Sequence, residues 1–189
     1  MKILFVCVAN VGRSQMAEAF CNKLSSHEAT SAGSQVGEKM GQVLSDRARE
    51  AEASSTPGDM LKIMFQEEEL DLYGNVRTQL IPSLVDAADL VVVMCQSDPY
   101  PEYLARNPKV TFWNIEDLYG ASYNAVRSLK DEVKSHVTAL VAEIGPDSPG
   151  VANQTVAMVR LTPLVVRLTP LGWCALRQAQ DRPVEPPAQ

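Results

Sequence analysis

The chain has 189 residues, 46% of them apolar and 21% charged, with 17 basic side chains against 23 acidic ones for a net charge of −6; that is the size of one ordinary domain and a short extension. An acidic balance with 6% aromatics excludes a nucleic-acid binder built on a basic stripe and stacked bases, and the apolar content excludes wholesale disorder. No apolar run approaches the roughly 18 to 20 residues that span a bilayer, and Met1 to Asn10 lacks the parts of a secretory signal, so the sequence reads as a soluble, cytoplasmic protein with no membrane and no nucleic acid as partner.

Lys2 to Val6 is a continuous apolar run rich in β-formers and predicts a buried strand. Met16, Phe20 and Leu24, with Ala17 and Cys21 beside them, share one helical face and predict a helix over Ser14 to Leu24. A weak strand over Glu28 to Ala32 ends at Gly33, and polar helical text runs from Gly37 to Ala53. Met60 to Leu70 is amphipathic, Ile81 to Ala87 predicts a short helix, and Asp89 to Met94 and Val110 to Ile115 predict buried strands. Ser122 to Ile144 predicts a long helix with Val126, Leu129, Val133, Val137, Leu140 and Ile144 on one face. This alternation implies an α/β fold in three layers, a four-stranded parallel sheet with helices on both faces. In such sheets a ligand sits beyond the carboxyl ends of the strands.

Composition shifts near Gly145. From there to Gln189 stand 7 of the 12 prolines and no lysine, and Val159-Arg-Leu-Thr-Pro-Leu164 recurs as Val166-Arg-Leu-Thr-Pro-Leu171. Proline at those intervals forbids a long helix and a central strand. The expected organisation is one α/β domain over 1–144 and a disordered, proline-rich tail over 145–189.

The four cysteines, Cys7, Cys21, Cys95 and Cys174, include no CxxC pair and no zinc spacing, so no metal or other cofactor is expected. Cys7 stands out by its setting. The segment Cys7-Val8-Ala9-Asn10-Val11-Gly12-Arg13-Ser14 joins the first strand to the first helix, where unpaired backbone N–H groups and the helix dipole favour an anion. That setting and the guanidinium of Arg13 favour a thiolate, the nucleophilic form of cysteine. Five residues between Cys7 and Arg13 suffice to wrap a tetrahedral oxyanion, with Arg13 gripping two oxygens and the sulfur at the base. Ser14 can donate its hydroxyl to the sulfur, and Asn10 tolerates the left-handed backbone that such a loop needs.

Phe5-Val-Cys-Val-Ala-Asn-Val-Gly-Arg-Ser-Gln-Met-Ala-Glu18 resembles the start of the low-molecular-weight protein tyrosine phosphatases and of the thioredoxin-coupled arsenate reductases that share their fold. The resemblance continues through Ser31-Ala-Gly33, Val85 to Met94 and Phe112 to Gly120, and leaves the tail unmatched. It implies Cys7 as nucleophile, the backbone of residues 8–14 and Arg13 as oxyanion binders, Asn10 as loop former and Ser14 as support for the thiolate. Ala9 replaces a usual glycine, and Gly12 stands where phosphatases carry a second cysteine.

By the same resemblance, Ile115-Glu-Asp117-Leu-Tyr119-Gly120 supplies the acid that an ester leaving group requires. Asp117 is the expected proton donor, and Tyr119 would wall the pocket. Asp98, in Ser97-Asp-Pro-Tyr100, is the competitor, better read as an Asx-Pro turn. In the reductase branch two further cysteines would relay oxidising equivalents by disulfide exchange. Cys95 falls where the first is expected, whereas position 102, where the second would stand, is Glu. Cys95 fits equally well as a small apolar residue ending a strand, and Cys21 reads as core. His27 and His136 fall in no motif and read as solvated.

Three functions are thus expected in order. The first is a cysteine-dependent phosphatase acting on a phosphorylated protein or small aryl phosphate. The second is an arsenate reductase using Cys7 and Cys95 with a thioredoxin-type reductant, and the third is an oxyanion-binding module with little catalysis.

Overall fold

The computed structural model describes residues 1–53, 60–94, 100–117 and 122–145; Cys95, Asp98, Tyr119 and everything from 146 onward lie outside them, as do the side chains of 51–53. Strands β1 (Lys2–Cys7), β2 (Glu28–Gly33), β3 (Leu90–Val93) and β4 (Val110–Phe112) form one parallel sheet in the order β2-β1-β3-β4. Around it stand α1 (Arg13–Leu24), α2 (Leu44–Ala53), α3 (Met60–Glu68), α4 (Pro82–Ala87), α5 (Glu102–Ala105) and α6 (Tyr123–Ile144).

Alternation along the strands divides the core. Ile3, Phe5 and Val92 join Met16 and Phe20 of α1, Met64 of α3 and Val133 and Val137 of α6 on one face. Leu4, Val6, Val91 and Val93 join Val85 of α4 and Leu104 of α5 on the other. Because both faces are covered, these strands are apolar throughout rather than alternating, as the sequence pattern required. Pro82 sits at the start of α4, where its missing N–H costs nothing. Ser122 caps α6, its hydroxyl accepting from the Ala125 N–H at 3.4 Å.

The structure departs from the sequence reading at several points. The polar helix expected over Gly37 to Ala53 is broken: Gly37–Lys39 makes a single 3-10 turn, Gly37 and Gly41 take φ of 57° and 81°, and Val43 bridges antiparallel to Val76 before α2 begins. Glycine enters that left-handed region freely, so polar periodicity alone did not register the break. α3 stops two residues early because Glu69 takes φ of 56°. β4 has three residues rather than six and lies at the sheet's edge, so 113–117 depart from the strand. The short α5 was not anticipated. The histidines are less solvated than expected: His27 is buried and His136 half-buried. His27 is 4% exposed with Nε2 2.9 Å from the Gly145 carbonyl oxygen, and His136 leans on Trp113 with ring centroids 5.0 Å apart.

Helices α3 and α6 are tied by charge as well as by apolar contact. Lys130 is buried and donates to Glu67 at 2.9 Å, with Glu68 at 3.1 Å, and Lys134 donates to Glu68 at 2.7 Å. No helix among the described residues is long and apolar enough to cross a membrane.

Candidate active site

The chain leaves β1 for β2 on one side and reaches β3 on the other side only later, so the carboxyl end of β1 is where the strand order reverses. Crevices form at such points. Cys7 is the last residue of β1, paired in register with Gly33 and almost fully buried. Gly33 is a glycine for a steric reason: a Cβ there would lie 2.6 Å from the Val8 carbonyl oxygen and 2.8 Å from the Asn10 nitrogen. The loop after Cys7 is therefore seated directly on the end of β2.

The loop's carbonyls are drawn to one side. Those of Cys7 and Val8 accept from the N–H groups of Ser34 at 2.8 Å and Gln35 at 2.9 Å, and that of Ala9 accepts from Nε of Arg77 at 2.9 Å. In a planar trans peptide the C=O and the following N–H point in opposite directions. The N–H groups of Val8, Ala9 and Asn10 are thereby aimed at the other side of the loop. Asn10 takes φ of 52°, and Gly12 starts α1 with no side-chain cap, so the helix's first amides join the same concavity. This is an anion cradle with the Cys7 sulfur at its base.

Asn10 organises the loop from within. Its Oδ1 accepts from the Thr78 backbone N–H at 2.7 Å, and since that group can only donate, the amide's orientation is decided. Nδ2 then donates to Ser14 Oγ at 2.9 Å and to Ser31 Oγ at 2.8 Å. Ser14 Oγ lies 3.0 Å from Cys7 Sγ. While its oxygen accepts from Asn10, the Ser14 hydroxyl keeps its own proton, with the sulfur within donating distance.

Arg13, the first residue of α1, is 4% exposed. Its NH1 group donates to the carbonyls of Met94, just past β3, and Ile115, at 2.9 Å for the latter, while its NH2 group meets Asp117 Oδ2 at 2.5 Å. The early end of β4 is what lets Ile115 and Asp117 turn into this position. Three strand ends thus contribute: Cys7 from β1, Met94 from β3 and Asp117 from beyond β4.

Of the expected site residues, the structure brings together Cys7, Val8, Ala9, Asn10, Val11, Gly12, Arg13, Ser14 and Asp117. Cys95, Tyr119 and the rival acid Asp98 lie outside the described residues. Tyr100 packs on Phe112 with centroids 5.2 Å apart, partly buried against the core cluster of Leu4 and Val6. Cys21 is buried core, as read from the helix face, and Glu102 is exposed on α5. Among the described residues no group of three His, Cys, Asp or Glu side chains could hold a metal.

Sequence reasoning missed Arg77, Thr78, Ser31 and Gln15. Gln15 donates from Nε2 to the Val76 carbonyl at 3.1 Å and accepts from Asn75 at 2.9 Å, holding the 75–78 segment under the loop. Arg77, besides its contact with Ala9, donates from NH1 to Gln42 Oε1 at 3.0 Å. Burial weakens its hold on its proton, the charge of Arg47 adds to that, and Cys7 and Glu50 oppose it. The segment 72–80 has no motif, so no local signal placed it beside the loop.

The model of the family described as low molecular weight phosphotyrosine protein phosphatase matches residues 2–149. A glutaredoxin arsenate reductase from Synechocystis is 27% identical over 147 residues, covering 76% of this chain and 98% of the relative. Among solved structures, the low-molecular-weight protein tyrosine phosphatase of T. tengcongensis superposes with a TM-score of 0.60 at 25% identity, covering 76% of this chain and 99% of that one. An arsenate reductase in its phosphate-binding state superposes with a TM-score of 0.56, also at 25% identity, covering 76% and 98%.

Proposed function

This chain belongs to the low molecular weight phosphotyrosine protein phosphatase family, and on that premise we propose that it hydrolyses phosphate monoesters of the phosphotyrosine type through a cysteinyl-phosphate intermediate. The Cys7 thiolate attacks phosphorus in line, forming the P–S bond as the ester P–O bond breaks. Asp117 gives its proton to the leaving oxygen. Once ionised, it takes a proton from water, which attacks phosphorus and breaks the P–S bond, returning inorganic phosphate and Cys7. The inward N–H groups of the loop and the guanidinium of Arg13 stabilise the equatorial oxygens throughout. The substrate is a phosphorylated protein or a small aryl phosphate.

The observation that carries this reading is the placement of Asp117 on Arg13 beside the Cys7 loop. An ester needs a proton donor at its leaving oxygen, and Asp117 is a carboxyl within reach of that position. Cys7→Ser should abolish hydrolysis of an aryl phosphate while keeping phosphate binding within a fewfold. Retained turnover would overturn the mechanism.

A second reading, arsenate reduction, is favoured by the Synechocystis relative, which is named a glutaredoxin arsenate reductase. Cys7 would attack arsenate, and Cys95 or an external thiol would then attack Cys7, forming a disulfide and releasing arsenite. A thioredoxin- or glutaredoxin-type reductant would restore the thiols. Against it stands Glu102, at the position of the second relay cysteine.

A further inference from the structure

We propose that Arg77 is a positioning residue of the oxyanion site: from behind the Cys7 loop it orients and polarises the Ala9–Asn10 peptide, and its buried charge makes the cradle select doubly charged phosphate monoesters over singly charged anions of the same shape. The inference rests on the reading of the loop as a phosphate cradle and adds to it the charge of the ligand. Three peptides of the loop are held from outside by their carbonyls. Those of Cys7 and Val8 accept from backbone N–H groups, of Ser34 at 2.8 Å and Gln35 at 2.9 Å, whereas that of Ala9 accepts from a guanidinium, Nε of Arg77, at 2.9 Å. The N–H that this third peptide turns inward is that of Asn10. A cationic donor on the carbonyl strengthens the N–H of the same peptide as a donor to an anion.

The backbone of Arg77 is fixed on both sides. Its N–H donates to the Gln42 carbonyl at 3.0 Å, its carbonyl accepts from the Gly41 N–H at 2.8 Å, and the N–H of Thr78, the next residue, donates to Asn10 Oδ1 at 2.7 Å. Residues 77 and 78 thus grip the Ala9 carbonyl and the Asn10 side chain, the two flanks of the peptide whose N–H faces the anion. A neutral donor would orient that carbonyl equally well, as Ser34 and Gln35 do for its neighbours, so the charge has a separate consequence. Arg77 is 7% exposed, and its guanidinium makes no ion pair among the described residues: its acceptors are the Ala9 carbonyl and Gln42 Oε1, the latter at 3.0 Å, both neutral. Its link to a carboxylate is indirect, through Gln42 Nε2, which donates to Glu50 at 2.9 Å. A cation so buried is costly unless negative charge lies close. Across the one peptide that Arg77 holds is the concavity built to take an anion. Burial works against the charge of Arg77, and Cys7 works in its favour. Coulomb attraction grows with the charge of the ligand, so Arg77 contributes more to binding a dianion than a monoanion.

The test is calorimetric titration of the full chain with benzylphosphonate and with benzylsulfonate, which share a ring and a tetrahedral head and differ by one unit of charge above the phosphonate's second ionisation. The wild type should bind the phosphonate more tightly. Arg77→Gln, which removes the charge and keeps a neutral donor, should lower the ratio of the two affinities about 5-fold or more. Arg77→Lys should restore most of the ratio, and Arg106→Gln, which removes one charge from an exposed site at the end of α5, should leave it unchanged. Arg77→Met, a second neutral variant, gives the same reading should the Gln variant not fold. A loss that is equal for the two ligands in the neutral variants would make Arg77 a structural support and overturn the proposal, as would a wild type with no preference for the phosphonate. A wild type that binds neither ligand would overturn the oxyanion cradle and this role with it. Hydrolysis of an aryl phosphate scored on the same preparations separates the two readings: a wild type that prefers the dianion through Arg77 yet hydrolyses no ester would keep the role of Arg77 and overturn the hydrolase reading.

Discussion

Arg13 and Asp117 meet at 2.5 Å although 104 positions separate them in the chain, and they meet with the guanidinium buried and the carboxylate half exposed. The NH1 group is anchored on the carbonyls of Met94 and Ile115, so the guanidinium has a fixed plane and the acid approaches it along the open edge. Asp117→Asn keeps that geometry and removes the proton. kcat should fall by about 10² to 10³-fold for an aryl phosphate with a poor leaving group. The loss should be much smaller for p-nitrophenyl phosphate, whose leaving group needs little protonation. An equal loss on both substrates in steady-state assays would assign Asp117 to holding Arg13 rather than to proton transfer.

Asn10 should be the costliest polar residue of the loop to replace. Asn10→Ala leaves the Thr78 N–H without its acceptor and frees Ser14 and Ser31, and it puts alanine, which tolerates the left-handed region less well than asparagine, at φ of 52°. Denaturant unfolding should show a loss of about 2 to 3 kcal/mol, and phosphate affinity should fall with it. A variant as stable as the wild type would contradict the hub described for Asn10.

Two glycines of the site should respond oppositely. Gly33→Ala drives a methyl into the backbone of Val8 and Asn10, so it should lower stability by about 2 kcal/mol or more and weaken oxyanion binding. A Cβ at Gly12 meets nothing within 4 Å, and Gly12→Ala should change stability by less than about 0.5 kcal/mol. Melting temperatures and phosphate titrations of the two variants check both. A tolerated Gly33→Ala would show that the loop does not rest on β2.

The charged tie between α3 and α6 sets an acid limit to stability. Glu67 titrates below its ordinary value chiefly through the bond from Lys130. Burial alone would push Glu68 up, and the bonds from Lys134 and Lys130 outweigh it, so it too titrates low. Burial likewise works against the charge of Lys130, but its bonds to Glu67, Asp131 and Glu68 outweigh this and hold it above the ordinary lysine range. Depressed carboxyls contribute stability above their unfolded value of 4.5 and lose it as pH falls through the folded value, whereas raised Lys130 contributes below 10.5 and loses it at still higher pH. Lys130→Met leaves Glu68 buried beside fewer cations and should cost about 3 kcal/mol at pH 7. Urea unfolding should show that cost shrinking as pH is lowered below 4.5. A cost independent of pH would remove the network from the acid limb.

Much of the fold was legible because both faces of the sheet are covered: Leu90 to Val93 and Ile3 to Val6 had to be apolar throughout, and helical faces such as Val126 to Val137 had to be periodic. The Cys7 loop was legible because its chemistry is local, with sulfur, turn residue and guanidinium within seven positions of one another. What stayed hidden is long-range. Nothing near Arg77 in sequence says that it will rest on the Ala9 carbonyl, and nothing near His27 says that the end of α6 will cover it. The break between Gly37 and Val43 was hidden for another reason: polar residues satisfy a helix and an exposed turn equally well, and the glycine conformations that decided it respond to pairing with Val76.

The central claim is that Cys7 serves ester hydrolysis in which Cys95 has no part. The direct measurement is a paired assay of the wild type, Cys7→Ser and Cys95→Ser, scoring hydrolysis of an aryl phosphate and arsenate-dependent oxidation of a thioredoxin or glutaredoxin system. The account predicts hydrolysis that is lost in Cys7→Ser and retained in Cys95→Ser. Arsenate-dependent oxidation that requires both cysteines, with no ester hydrolysis by the wild type, would contradict it.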